Sequence, residues 1–160
     1  MNPSTKEPAV SLRQLLTDNL KTAMKAGDKL RVDTIRLIIA KIKEADVNGR
    51  AAGKEVVDAD ILGLMQGMIK QRAESARIYR DNNRPELAAQ EEGEMALIQS
   101  YLPAQLDDAA AAAAIAAIIT DLGATTPKDM GRVMAMVKEK LTGQMDMTKA
   151  SGIVKSKLVG

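Results

Sequence analysis

The chain has no cysteine, histidine, tryptophan or phenylalanine, and its only aromatic residues are Tyr79 and Tyr101. Without a thiol or an imidazole there is no Ser-His or Cys-His nucleophile pair, no imidazole base tuned near neutral pH, and no zinc site of the His/Cys type. Carboxylates alone remain for metal binding, and neither a metal nor a cofactor is expected. No apolar run approaches the roughly 20 residues that span a bilayer, so no membrane association is expected. The absence of cysteine is compatible with a reducing compartment, which makes the cytoplasm the default expectation. Charge of one sign is also lacking: 23 Lys and Arg face 21 Asp and Glu. That balance is wrong for a non-specific nucleic-acid coat, so any polyanion site must come from local arrangement. At 160 residues the chain can bury one moderate core or two small ones.

What is present is helical periodicity in every long segment, with no alternating Val/Ile/Thr pattern for a half-buried strand. The expected fold is all-α and multihelical: a four-helix N-terminal subdomain over residues 11–103, then a smaller three-helix subdomain over 104–160. Residues 1–10 are polar and punctuated by Pro3 and Pro8, and read as a flexible tail rather than a secretory signal. Ser11 and Gln14 have capping-box spacing before a helix over Leu12 to Ala26, stopped by Gly27. A second helix covers about Lys29 to Val47 and ends at Asn48-Gly49, a dipeptide suited to left-handed turns. Asp58 is the expected cap of a third helix, broken at Asp81-Asn82-Asn83. Gly63 and Gly67 within it suggest close approach of a neighbouring helix, because glycine costs about 1 kcal/mol against alanine. Pro85 opens a fourth helix running to Leu102, where Pro103 forbids helical conformation at the preceding residue.

Beyond that point Asp107 and Asp108 start an alanine-rich helix reaching Leu122, with Ile115, Ile118, Ile119 and Leu122 in one stripe and Gly123 as its stop. Thr126 as cap, Pro127 at the first helical position and Asp129 in the first turn open helix six, closed by Gly143. A last helix follows Asp146. Gly131 and Gly152 are read as small residues that let helices pack closely.

The sharpest local feature is Lys128 with Arg132, four residues apart at a helix entrance and so on one face. Two readings stand. Unused backbone N–H groups, the helix dipole and two cations suit a phosphate of an RNA backbone; alternatively this is a solvated helix start with Asp129 capping its own turn. From Ala124 onward Lys128, Arg132, Lys138, Lys140, Lys149, Lys155 and Lys157 face only Asp129, Glu139 and Asp146. A basic surface with almost no aromatic residue cannot stack unpaired bases, which favours backbone and shape recognition of folded RNA over single-strand readout. A second stripe, Lys70, Arg77, Arg80 and Arg84, is interleaved with Glu74 and Asp81 and is expected to be largely neutralised. Met130, Met134, Met136, Met145 and Met147 are core or an adaptable partner surface. Glu91, Glu92 and Glu94 point in different helical directions with no nucleophile beside them, and no catalytic residue is assigned.

Two strings carry a resemblance: Tyr101-Leu102-Pro103-Ala104-Gln105-Leu106, and Asp129-Met130-Gly131-Arg132-Val133-Met134 about twenty residues later. Together with Ala23-Met24-Lys25, the Leu30 to Ile42 helix with Arg36, and Lys70-Gln71-Arg72, they resemble the GatB/YqeY domain family. That domain occurs alone in small bacterial proteins and as the tail of tRNA-dependent amidotransferase B subunits. The resemblance marks Tyr101, Leu102, Pro103, Asp129 and Gly131 as architecture, and Lys128 and Arg132 as binding candidates. The loop Gly143-Gln144-Met145-Asp146 keeps only the two ends of the family's Gly-basic-Ala-Asp pattern, so no phosphate contact is carried over to it.

The resemblance implies a non-catalytic tRNA-recognition or accessory module related to glutamine-dependent aminoacyl-tRNA amide transfer, a carbon-nitrogen ligase reaction with glutamine as amido-N-donor. The expected partners are tRNA and an amidotransferase or aminoacyl-tRNA synthetase, with no DNA. The alternative is a helical protein-interaction adaptor that binds no RNA. An enzyme in its own right is motivated by family association alone.

Overall fold

The computed structural model describes residues 11–159, and the expected tail over 1–10 lies outside them. Among the described residues the fold is all-α, with seven helices and no strand. They are α1 (Leu12–Ala26), α2 (Lys29–Ala51), α3 (Asp58–Asp81), α4 (Pro85–Gln99), α5 (Asp108–Leu122), α6 (Met130–Leu141) and α7 (Met147–Lys157). The chain divides into two compact units between Ile98 and Gln99.

In the first unit α1 packs along α2, and α3 packs against both. The apolar side chains at helical spacing form its core: Leu16, Ile35, Ile38, Ile61, Met65 and Ile98 are all fully or almost fully buried. Burying one such side chain contributes about 1.5–3 kcal/mol, so this short series supplies the main drive for the unit. As expected, α1 begins with the Ser11 hydroxyl accepting the Gln14 N–H at 3.2 Å and ends before Gly27, whose φ is +69°.

The second helix runs four residues past its expected end, straight through Asn48-Gly49. The left-handed residue is Gly53 instead. There the Gly53 N–H donates to Arg50 O at 3.2 Å and the Lys54 N–H to Gly49 O at 2.7 Å, the paired bonds of a Schellman stop. Gly49 serves that turn differently: a Cβ on it would stand 2.7 Å from the Lys54 carbonyl oxygen. Asp58 is likewise not the cap of α3 but its first residue, and its carboxylate accepts the Leu12 N–H at 3.2 Å, joining the starts of α3 and α1. The N-cap is Val57, which has no acceptor in its side chain; Asp60 compensates by accepting the Val57 N–H at 3.0 Å.

Gly63 and Gly67 are exposed, with nothing within 4 Å of an added Cβ, so the expected close helix approach is absent there. Gly131 and Gly152 in the second unit are equally open. The fourth helix stops at Gln99, three residues before its expected end. Pro103 has no N–H to offer the Gln99 carbonyl, which takes the Leu102 N–H at 3.0 Å in a tighter turn.

The second unit holds one cluster around Ile115, Ile118, Val133, Val137, Val154 and Leu158. The alanine-rich α5 is a packed helix with the expected bounds, Ala111 buried and Ala113 and Ala117 exposed. Helix six starts later than expected, because Pro127–Asp129 form a 3-10 turn and α6 proper begins at Met130 and ends at Leu141. Met145 is buried, and Met130, Met134, Met136 and Met147 pack against this core, which places the methionines in packing rather than on an open face.

Three substitutions test these readings by thermal or urea unfolding. Gly49→Ala is expected to cost about 1–3 kcal/mol through its clash with the Lys54 carbonyl, whereas Gly67→Ala gains up to about 1 kcal/mol from helix propensity. The Thr34 hydroxyl is fully buried with no hydrogen-bond partner among the described residues. Thr34→Val, which replaces it with a methyl group of similar shape, is expected to stabilise by about 1 kcal/mol.

Candidate nucleic-acid interface

The entrance of α6 is organised by one carboxylate. Asp129 Oδ2 accepts the Thr125 N–H at 2.9 Å and the Thr126 N–H at 3.2 Å, while Oδ1 accepts from Arg132 Nε at 3.1 Å. The acid therefore occupies the amides just ahead of the helix where an external anion would have to compete with it. These two backbone donors, and then the Arg132 guanidinium, hold the Asp129 carboxyl below the ordinary carboxylate range. Arg132 is also committed on its far side, where Nη1 donates to the Leu122 carbonyl at 2.9 Å and satisfies the last residue of α5. Arg132 thus ties the end of α5 to the start of α6.

Lys128, on the same turn, is exposed and forms no ion pair among the described residues. Lys149 is paired with Asp108 at the start of α5. Lys138, Lys140, Lys155 and Lys157 are exposed and without an ion pair among the described residues. Of seven expected cations, two are thus held by the protein and five remain available. Lys138 and Lys140 stand two positions apart, as do Lys155 and Lys157, and so lie on different sides of α6 and of α7. Each pair also lies in the last turn of its helix, where positive charge is stabilised by the helix dipole.

The hinge string has a structural role within this unit. Gln105 Nε2 donates to Pro103 O at 2.9 Å and to Gly143 O at 2.7 Å, and the Leu106 N–H donates to Gln144 O at 2.9 Å. The segment after Pro103 is thereby fastened to the turn between α6 and α7, where Gly143 has φ +87°. Tyr101 and Leu102 are half-buried and Pro103 is exposed.

In the first unit two of the four cations of the second basic stripe, Arg77 and Arg80, are ion-paired. Arg77 joins Glu74 and Asp81, and Arg80 reaches across to α4 with 2.7 and 2.8 Å bonds to both oxygens of Glu92. Glu94 pairs with Arg72 at 2.9 Å, with both side chains mostly buried. Two members of the Glu91, Glu92 and Glu94 trio are therefore ion-pair partners, and no convergent acid cluster is found among the described residues. Sequence reasoning missed the bidentate Arg13–Asp46 pair, at 2.9 and 2.7 Å, because its partners are 33 residues apart and share no motif.

Asp129 gives the second unit a pH signature with a definite sign. Its folded pKa is lowered, so its stabilising contribution is complete above the unfolded carboxylate value of about 4 and is lost as pH falls through the folded value. In unfolding series from pH 6 to pH 3, the wild-type chain is expected to lose more stability than Asp129→Asn, and the two curves to converge at the acid end. Parallel curves would remove Asp129 as the source.

The model of the family described as Yqey-like protein matches residues 13–158. Similar curated proteins carry the name "Altered inheritance of mitochondria protein 41, mitochondrial". The one from Vanderwaltozyma polyspora is 38% identical over 87 residues, 54% of this chain and 46% of the relative. The one from Lachancea thermotolerans is 35% identical over 115 residues, 70% and 60%, and one from Saccharomyces cerevisiae is 32% identical over 88 residues, 55% and 46%. The matched region spans about half the length of these relatives. No single helix among the described residues is long and apolar enough to cross a membrane. With a family match covering nearly all described residues on an all-helical fold, the chain belongs to the YqeY-like family.

Proposed function

We propose that the chain is a non-catalytic RNA-recognition module that holds folded tRNA through exposed lysines of its second unit. It acts alone or as an accessory to an aminoacyl-tRNA enzyme that transfers amide nitrogen from glutamine. The observation that carries this reading is the set Lys128, Lys138, Lys140, Lys155 and Lys157, all exposed and without an ion pair among the described residues. Lysine is a hydrated point charge on a flexible stem, suited to phosphate contacts that tolerate variation in sequence. The likeness of the hinge and the Asp-Met-Gly-Arg string to the tail of amidotransferase B subunits supports tRNA as the RNA. Chemistry is left to a partner, because the chain brings neither thiol nor imidazole.

Binding to folded tRNA across a salt series, with an unstructured RNA of equal length as comparator, tests the reading. Folded tRNA is expected to bind more tightly and with steep salt dependence. An RNA surface meets one side of a helix, so one alanine variant of each pair, Lys138/Lys140 and Lys155/Lys157, should lower the log-log salt slope by about 0.7–0.9 and the other leave it unchanged. Arg132→Ala is expected to act mainly on stability. Equal or negligible binding to both RNAs would overturn the proposal and favour the adaptor reading, in which a protein partner is retained after ribonuclease treatment.

A further inference from the structure

The first unit contains a cleft of about 460 Å³ at the end of α2, bounded by that helix, the start of α1 and the loop into α3. Its walls are held at several points. Arg13 forks onto Asp46 and also donates to Val56 O at 3.1 Å. The Lys54 N–H donates to Gly49 O, and Gly53 takes the left-handed conformation that turns the chain back. Asp60 and Asp58 then fasten the far side of the loop to the Val57 and Leu12 amides. Such a loop loses little conformational freedom when a ligand enters.

The charges in this cleft are unequally committed. Arg13 and Asp46 neutralise one another, and the Arg13 hydrogen bonds hold the Asp46 carboxyl below the ordinary carboxylate range, with Arg50 adding to the effect. Arg50 and Lys54 line the cleft and have neither an ion pair nor a side-chain hydrogen bond among the described residues. Against these two cations stands one further lining carboxylate, Glu55. A volume of this order lies within the range of small-ligand sites, about 300–1,000 Å³.

We propose that this cleft is a phosphoryl-binding site in which Arg50 and Lys54 hold the oxyanion and Glu55 sets a limit on its net charge. The guanidinium of Arg50 supplies a planar pair of donors matched to two phosphoryl oxygens, and Lys54 supplies a movable ammonium. Glu55 opposes a bare dianion and accepts a hydroxyl or amino group of a larger phosphorylated ligand. The site belongs to the first unit and does not rest on the RNA reading, which concerns lysines of the second.

The test is amide chemical-shift titration of the full-length chain with inorganic phosphate at constant ionic strength, with chloride as control. Saturable shifts are expected at Gly53, Lys54 and Glu55. Arg50→Ala and Lys54→Ala, which remove exposed side chains and leave the loop ties intact, should each weaken binding by about tenfold or more. Glu55→Gln should tighten binding of phosphate alone. Parallel titrations distinguish the source of the group: preference for a phosphate monoester over dimethyl phosphate marks a small phosphorylated molecule, and equal binding marks an RNA backbone. Absence of saturable shifts, equal shifts with chloride, or titrations unchanged by the Arg50 and Lys54 substitutions would overturn the proposal. Loss of RNA binding on substituting the second-unit lysines would leave these shifts in place, so the two proposals fail separately.

Discussion

Every helix in this chain must dispose of amides at its start and carbonyls at its end, and the way it does so governs the electrostatics of the molecule. Four helices stop in the same manner. Gly27, Gly53, Asn83 and Gly123 take positive φ, and the two amides at and after each donate back to the last turn. Five starts are taken by carboxylates: Asp28, Asp107 and Asp146 accept the amides of Arg31, Ala110 and Thr148, while Asp60 and Asp129 reach back to the residues before them. A chain with nearly equal numbers of acids and bases thereby spends many acids on its own backbone. The lysines in the last turns of α6 and α7 form no ion pair among the described residues, so their charge is not consumed in this way.

The parts of the fold legible in the sequence were those set by local rules. The bounds of α1 and α5 follow from a cap, a stripe of apolar residues and a glycine stop, and all three are short-range. The reading failed where two local signals competed or where the deciding partner was remote. Asn48-Gly49 and Gly53 are both plausible stops for α2, and the sequence has no way to show that the Lys54 carbonyl would lie where a side chain at 49 must go. Asp58 has the right chemistry for a cap, but its acceptor is used by Leu12, 46 positions away. The early end of α4 was within reach, since Pro103 removes the donor that the Gln99 carbonyl needs four residues on, although the more familiar effect of proline concerns the residue before it.

The candidate interface was legible as a composition and illegible as an arrangement. Seven cations after Ala124 are visible in the string of residues; that Arg132 closes the end of α5 and Lys149 meets Asp108 is not. Spacing alone is compatible with Asp129 as a cap and with a phosphate at the helix entrance. The geometry shows why the two compete: the amides of Thr125 and Thr126 can serve the chain's own carboxylate or an incoming anion, and here they serve the carboxylate.

Arginine supplies most of the ion pairs described in this molecule. Of nine arginines in the chain, Arg13, Arg72, Arg77, Arg80 and Arg132 form ion pairs with carboxylates of the same unit. The guanidinium is the more weakly hydrated cation and offers donors in a fixed plane, so it gains more from a preformed carboxylate than an ammonium does. It is used accordingly to join α1 to α2, α3 to α4, and the end of α5 to the start of α6. The ammonium groups left outside keep their water and their rotamer freedom, which makes each one a weak, salt-sensitive and direction-tolerant contact. If the exposed lysines of the second unit meet RNA, specificity must come from their spacing against a folded shape, because an ammonium offers neither aromatic stacking nor forked base recognition.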